Sequence, residues 1–299
     1  DNSLAASTPA VDANRVVVCW ASAKEITVHG LDHAGNELWT RSLGPAQTQH
    51  GPSVTPIIHE GTVYAANDNQ GPSVLTAIDA ASGKLKWQVP RPSTKAAYGT
   101  PLIYRPSGGG PEQLVVSCSE GPIIGYDPKT GVKLWQADGA DPQRVVASPV
   151  QVGDTVVQSS GMGSRGKWLI AVRPPATPDG KAETAWKVEA DAPYVPTSVA
   201  VGGLLFTVHD GGAIACYRSA TGERVWQDKL DAKFYGSPVC AGGRIYVVSR
   251  DGTLFCYAAG EKFELLGKTL LGEASFATPV FAGKKMLVRT HGKLICLEK

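Results

Sequence analysis

A Ser or Thr residue followed by Pro recurs along this chain at nearly constant spacing. The pairs begin at Thr8, Thr55, Thr100, Ser148, Ser237 and Thr278, and Thr197-Ser198 occupies the one gap in the series. Successive positions are separated by 47, 45, 48, 49, 40 and 41 residues, which indicates seven consecutive copies of one structural repeat. A period in this range is typical of propellers, solenoids and other repeat arrays.

Each copy contains hydrophobic runs of four to six residues that are bounded by Gly, Asp or Asn, as in 244–248 and 253–257 of the sixth copy. Such runs are too short for helices and predict strands joined by tight turns. A fourth run carries a Trp in five copies, at Trp39, Trp87, Trp135, Trp186 and Trp226, and we place Leu266 at this position in the sixth. Four strands in about 40–48 residues predict one blade of a β-propeller.

We therefore predict an all-β, seven-bladed β-propeller of four-stranded antiparallel blades, forming a single domain over 1–299. The seventh copy ends after its third strand, so the last blade lacks its outer strand within this chain, and we expect an upstream segment to supply it. The predicted blades cover approximately 7–48, 53–93, 98–140, 146–189, 195–230, 235–271 and 276–299.

Two repeated positions have packing explanations. Proline has no N–H to donate, so the strand after each Ser/Thr-Pro pair should be a sheet edge, here the innermost strand. The third strand carries a small residue at one position, which is Gly or Ala in the first four copies. We predict that Cys216, Cys256 and Cys296 occupy this position as buried, reduced and unpaired thiols.

Composition excludes several classes of function. A formal net charge of +2 over 299 residues argues against a dedicated nucleic-acid binder. No apolar run approaches the length of a transmembrane segment. The six cysteines form no Cys-x-x-Cys, zinc-ligand or haem-attachment spacing.

The copies at 77–87, 125–135 and 215–226 share a strand, a polar turn and a Trp. This unit resembles the repeat of the pyrroloquinoline-quinone-like propellers, a superfamily that includes quinoprotein alcohol dehydrogenases and the non-enzymatic BamB-type outer-membrane-assembly scaffolds. The resemblance covers essentially the whole chain. It implies the propeller fold and a periplasmic or otherwise extracytoplasmic location, with membrane association through an upstream segment as a further expectation.

The catalytic features of quinoprotein dehydrogenases do not carry over to this chain. Those enzymes place vicinal cysteines against the quinone and hold calcium with Glu, Asn and Asp side chains, whereas no two cysteines are adjacent here. The nearest oxygen cluster is Asn67-Asp68-Asn69, which we interpret as a hydrated loop. We therefore expect no pyrroloquinoline quinone, no calcium or other metal, and no catalytic residues.

Loop geometry predicts where a partner would bind. In a four-stranded antiparallel blade, the crossover into the innermost strand and the hairpin between strands two and three emerge on the same face. That face should collect aromatic and cationic side chains suited to a protein, a peptide segment or an extended anionic ligand. The simpler alternative is that the aromatics plug the channel. The candidate residues are Tyr98, Tyr194, Tyr235, Phe276, Lys95, Arg144, Arg165, Lys233, Arg250, His209 and His291.

The sequence thus favours a non-catalytic binding or assembly scaffold, most like the BamB type, with a protein partner and no nucleic-acid ligand. A quinone-dependent alcohol or sugar dehydrogenase is the leading alternative. A third hypothesis is an extracytoplasmic sensor or carbohydrate-associated module of a larger protein.

Overall fold

The structure is a computed structural model that describes residues 7–22, 24–48, 51, 53–119, 122–138, 144–162, 165–175, 180–189 and 192–298. Every regular element within these ranges is a β-strand. None of the described residues forms a helix with the length and hydropathy needed to cross a membrane. The chain divides into two compact units, residues 1–149 with 173–183, and residues 150–172 with 184–299.

The first unit contains three antiparallel sheets, each with its four strands in chain order. The first sheet has β1 (Ala10–Val11), β2 (Val16–Ala21), β3 (Glu25–Leu31) and β4 (Glu37–Pro45). The second has β5 (Ile57–His59), β6 (Thr62–Asn67), β7 (Val74–Asp79) and β8 (Leu85–Pro90). The third has β9 (Leu102–Tyr104), β10 (Gln113–Ser117), β11 (Ile123–Tyr126) and β12 (Lys133–Ala137).

The second unit contains four sheets, of which the last has three strands. The fourth sheet has β13 (Val150–Val152), β14 (Thr155–Met162), β15 (Arg165–Arg173) and β16 (Glu183–Glu189). The fifth has β17 (Val199–Val201), β18 (Leu204–Val208), β19 (Ala213–Arg218) and β20 (Arg224–Lys229). The sixth has β21 (Val239–Ala241), β22 (Arg244–Val248), β23 (Thr253–Ala258) and β24 (Leu265–Leu270), and the seventh has β25 (Val280–Ala282), β26 (Lys285–Arg289) and β27 (Leu294–Glu298).

The repeated Ser/Thr-Pro pairs lie where the sequence predicted, directly before the first strand of each sheet, which is a sheet edge. Four of the hydroxyl groups accept a hydrogen bond from the backbone N–H at the same position of the preceding copy. Such bonds run from Thr8 to Thr55 (3.3 Å), from Thr100 to Ser148 (3.0 Å), from Thr197 to Ser237 (2.9 Å) and from Ser237 to Thr278 (2.9 Å).

The five repeated tryptophans lie on the fourth strands, as predicted, and four of them bond to the next sheet. Each of these four indole N–H groups donates to a backbone carbonyl oxygen over 2.7–3.1 Å. The pairs are Trp39 with Ala80, Trp87 with Pro128, Trp186 with Ser219 and Trp226 with Gly260. The ring also covers the small residue of its own third strand. A Cβ added to Gly125 would lie 2.1 Å from Nε1 of Trp135, which explains why this position is small.

The sixth sheet departs from the predicted register. Gly267, rather than Leu266, pairs with Cys256, as Trp226 pairs with Cys216, because the chain between the paired residues is one residue longer than in the fifth sheet. No indole therefore covers Cys256, which is half-buried, and Cys296 on the last strand is exposed. The predicted burial is right for Cys216 and wrong for Cys256 and Cys296. Cys216, Cys256 and Cys296 are unpaired, as predicted.

Candidate binding surface

Backbone hydrogen bonds join the loops at one end of the last two sheets. The amide of Arg250, in the β22–β23 hairpin, donates to Lys233 O in the crossover before β21, over 2.8 Å. The amide of Ser275, in the crossover before β25, donates to the carbonyl oxygen of Arg250 over 3.3 Å. The hairpin is thus held between two crossovers, which brings residues distant in sequence to one surface.

Three of the predicted site residues meet on this surface. The ring centroids of Tyr235 and Phe276 are 5.8 Å apart, with 49° between the ring planes. The guanidinium carbon of Arg250 lies 4.4 Å from the Tyr235 centroid and 5.6 Å from the Phe276 centroid, within cation–π range of both rings. The Tyr235 and Phe276 side chains remain 37% and 54% exposed. We call Tyr235, Arg250 and Phe276 the aromatic–arginine cluster.

The hairpin that carries Arg250 has a defined conformation. The hydroxyl of Ser249 donates to a carboxylate oxygen of Asp251 and lies 3.0 Å from Thr253 O, and the Ser249 hydrogen bond lowers the pKa of Asp251. Gly252 has a φ of 86°, and a Cβ at this position would lie 1.8 Å from the carbonyl oxygen of Glu273. Only glycine fits there, so the adjacent crossover can approach closely enough to position Phe276 beside Arg250.

A carboxylate anchors the next hairpin along the same surface. Glu273 accepts hydrogen bonds from the amide of Gly292 (2.9 Å) and the hydroxyl of Thr290 (2.8 Å), and it pairs with Lys293 (3.1 Å). These contacts, led by the Gly292 amide, lower the pKa of Glu273 to about 2. The amide of His291 donates to Ala274 O, and His291 is exposed at the surface.

The other predicted residues of the second unit have more local contacts. Tyr194 is half-buried and its amide donates to the buried carboxylate of Asp210 over 2.9 Å. His209 Nδ1 accepts a hydrogen bond from the amide of Gly211 over 2.9 Å, and this bond stabilises the turn. An open cavity of about 650 Å³ lies beside it. The backbone of Arg165 belongs to β15, and its side chain lies outside what the structure describes.

Lys95, Tyr98 and Arg144 belong to the first unit. The amide of Tyr98 donates to Val145 O over 3.1 Å, so Tyr98 enters the third sheet beside the crossover that carries Arg144. Ser119 fixes both segments, since its hydroxyl lies 2.9 Å from Ala96 O and accepts the amide of Val145. A role for these three residues in binding stays a prediction.

The hydrated-loop interpretation of Asn67-Asp68-Asn69 is wrong, because all three residues are buried. The Asn67 amide group donates to Leu43 O and Pro45 O, each over 3.1 Å. Arg91, which the sequence analysis missed, donates to both carboxylate oxygens of Asp68, over 2.6 and 2.9 Å. A cationic side chain thus occupies the space beside Asp68, and this group of oxygens does not fit calcium.

Sequentially connected antiparallel sheets, with crossovers linked by hydroxyl and backbone hydrogen bonds, define a β-propeller repeat protein with a loop surface suited to binding. A family model described as outer membrane protein assembly factor BamB matches residues 2–177 and 176–299. The chain belongs to this family.

Comparison with solved structures confirms the all-β propeller class. The crystal structure of BamB from Moraxella catarrhalis superimposes with a TM-score of 0.73 at 17% identity, covering 97% of this chain and 81% of that one. The computationally designed protein Ika8 also gives a TM-score of 0.73, at 11% identity, covering 97% of this chain and 82% of that one. At these identities the likeness shows the fold alone.

Two curated relatives match part of the chain. Quinohemoprotein alcohol dehydrogenase ADH IIB of Pseudomonas putida is 29% identical over 132 residues, which cover 40% of this chain and 19% of that enzyme. BamB of Xanthomonas campestris pv. campestris is 27% identical over 117 residues, which cover 38% of this chain and 27% of that protein. The chain therefore matches less than a third of the length of either relative.

Proposed function

We propose that this chain is a non-catalytic assembly scaffold of the cell envelope, and that it binds a protein partner through the aromatic–arginine cluster. The proposal rests on one observation: the Phe276 side chain is exposed although neighbouring side chains hold it in place. Its ring is held against Tyr235 and Arg250, yet 54% of the side chain is accessible. An aromatic side chain that only filled a channel would be buried.

The cluster has the properties of an interface anchor. Tyr and Arg are enriched among residues that dominate binding energies, and rigid aromatic side chains lose little conformational entropy on binding. The Ser249 and Gly252 contacts fix the hairpin before a partner arrives, which lowers the entropic cost of association. Arg250 adds positive charge beside the rings. A partner segment with an apolar side chain next to an acidic one would complement this surface.

Membership of the BamB family supports both the type of function and the location. The name of that family describes assembly of outer membrane proteins, which takes place outside the cytoplasm. We accordingly propose a location in the periplasm or an equivalent compartment, with a component of the envelope assembly machinery as the partner. The chemistry of the aromatic–arginine cluster defines the kind of segment that the partner presents, and the crosslinking experiment below identifies the partner.

Photo-crosslinking in living cells tests this proposal. A photoreactive amino acid replaces Phe276, and a matched variant carries it at Phe281, which is also an exposed phenylalanine of the seventh sheet but lies beyond the start of β25. We expect a discrete crosslink to an envelope assembly protein from position 276 and a much weaker one from position 281. Equal crosslinking from the two positions, or crosslinks only from position 281, would contradict the proposal.

The partial match to a quinohemoprotein alcohol dehydrogenase makes the enzyme alternative worth a direct assay. We expect no dye reduction above background when the purified chain is incubated with pyrroloquinoline quinone, calcium and a panel of alcohols and aldoses. The physical reason is that the chain has no adjacent cysteines and its buried Asp68 is already paired with Arg91. Saturable turnover that requires both quinone and calcium would establish the dehydrogenase instead.

A further inference from the structure

A second group of chemically reactive side chains lies in the first unit, at the end of the sheets that carries the turns between first and second strands. It consists of His59, the last residue of β5, Glu60, in the β5–β6 turn, and Glu112, directly before β10. The nitrogen and oxygen atoms that each residue offers lie within 4.8 Å of one another. Among the described residues, this is the one group of three His, Cys, Asp or Glu side chains with that geometry.

The turn that carries Glu60 differs from its counterparts in the later copies. Glu60 has a φ of 45° and is the only non-glycine residue with positive φ in the described part of the chain. The equivalent turns of the last four sheets begin with Gly153, Gly202, Gly242 and Gly283, each at a φ of 56–59°. A glutamate is thus held in a conformation that favours glycine, and its carboxylate lies next to His59.

The contacts of Glu112 leave it suited to a cation. Arg105 Nε donates to one carboxylate oxygen of Glu112 over 2.6 Å, while the other oxygen contacts His59 Nε2. Burial acts to raise the pKa of Glu112, but the His59 and Arg105 contacts outweigh it and lower the pKa overall. Glu112 is therefore an oriented carboxylate, fixed on one side as the ligands of metal sites commonly are.

A cavity of about 770 Å³ opens beside the three side chains, and Tyr64, Lys86 and Asp127 also line it. The amine of Lys86 is held by the Thr62 hydroxyl at 2.7 Å. Three protein ligands next to an open space correspond to a site in which water or an added ligand completes the coordination. One imidazole with two carboxylates favours zinc-like divalent cations over calcium or magnesium, which prefer oxygen ligands throughout.

We propose that His59, Glu60 and Glu112 bind a divalent transition-metal ion of the zinc class. The cation takes the place of the direct His59–Glu112 contact and adds the Glu60 carboxylate, which gives the glutamate at this strained turn position a role. The site belongs to the first compact unit and the aromatic–arginine cluster to the second, and the metal-site proposal does not depend on the proposed scaffold function.

Calorimetric titration of the metal-free chain with Zn²⁺ tests the proposal, with accessible thiols blocked so that the free cysteines do not contribute. We expect saturable binding of one equivalent, and weakening by about tenfold or more in His59→Ala and Glu112→Gln. His33→Ala is the matched control, since His33 is an exposed histidine outside the cluster, and it should bind as the unmodified chain does. Co²⁺ should give an absorption spectrum typical of nitrogen and oxygen ligands without thiolate bands.

Glu60→Gly separates metal binding from folding. This variant restores the residue that the later copies use at the turn, so it should unfold at the same or a higher temperature and still lose about tenfold in Zn²⁺ affinity. Absence of saturable binding by the unmodified chain would overturn the proposal. Unchanged affinity in Glu60→Gly and His59→Ala would overturn it as well, and would leave His59 and Glu112 as an ion pair only.

Discussion

Replacing Asp68 by Asn should lower the free energy of unfolding by about 3–5 kcal/mol. Asp68 and Arg91 form an ion pair whose side chains are 2% and 0% exposed, joined by two hydrogen bonds. The variant keeps the size of the side chain but removes its charge, which leaves the Arg91 guanidinium in the interior without a counter-charge. Urea unfolding followed by tryptophan fluorescence measures the change.

The matched control is Glu223→Gln, which removes a carboxylate from an exposed pair. The charged atoms of Arg218 and Glu223 are 3.7 Å apart and the side chains are 45% and 69% exposed, so this change should cost less than about 1 kcal/mol. A double variant, Asp68→Leu with Arg91→Met, should recover most of the lost stability because no charge is left buried. Similar costs for Asp68→Asn and Glu223→Gln would show that the buried pair is solvated.

Replacing both Tyr235 and Phe276 by Ala should weaken binding of the crosslinked partner by about 2 kcal/mol or more, roughly 30-fold in Kd. The change removes both exposed rings and the surface over which Arg250 is held. Surface plasmon resonance with the purified partner measures the affinity. Charge reversal at Arg250 should act differently, mainly slowing association and reducing its dependence on salt concentration.

A second Tyr–Phe pair provides the control. Tyr246 and Phe281 also stack, with ring centroids 5.1 Å apart, and they too connect the sixth and seventh sheets. The double change of Tyr246 and Phe281 to Ala removes the same atoms from a pair outside the cluster, and it should leave partner affinity unchanged. Equal loss of affinity from the two double variants would mean that the effect comes from general loosening of these sheets.

The repeat by itself determined most of the architecture. The Ser/Thr-Pro spacing, the short strands and the Trp series are local patterns, and each has one physical explanation that holds in every copy. The resulting loop geometry also predicted that Tyr235, Arg250 and Phe276 would lie on one face with the other candidate residues, and the structure brings these three side chains together. A binding role for the other residues predicted for this surface stays a prediction.

Tertiary structure decided the features that depend on register and on pairing between distant residues. One extra residue between the third and fourth strands of the sixth sheet put Gly267 rather than Leu266 opposite Cys256, so that no large side chain covers that thiol. Asp68 looked like a polar loop residue until Arg91, 23 positions later, was placed against it in the interior. Glu60 and Glu112 become neighbours only when the second and third sheets pack together. Local sequence patterns carry periodicity and propensity, whereas the partner of a charged side chain is set by the packing of whole sheets.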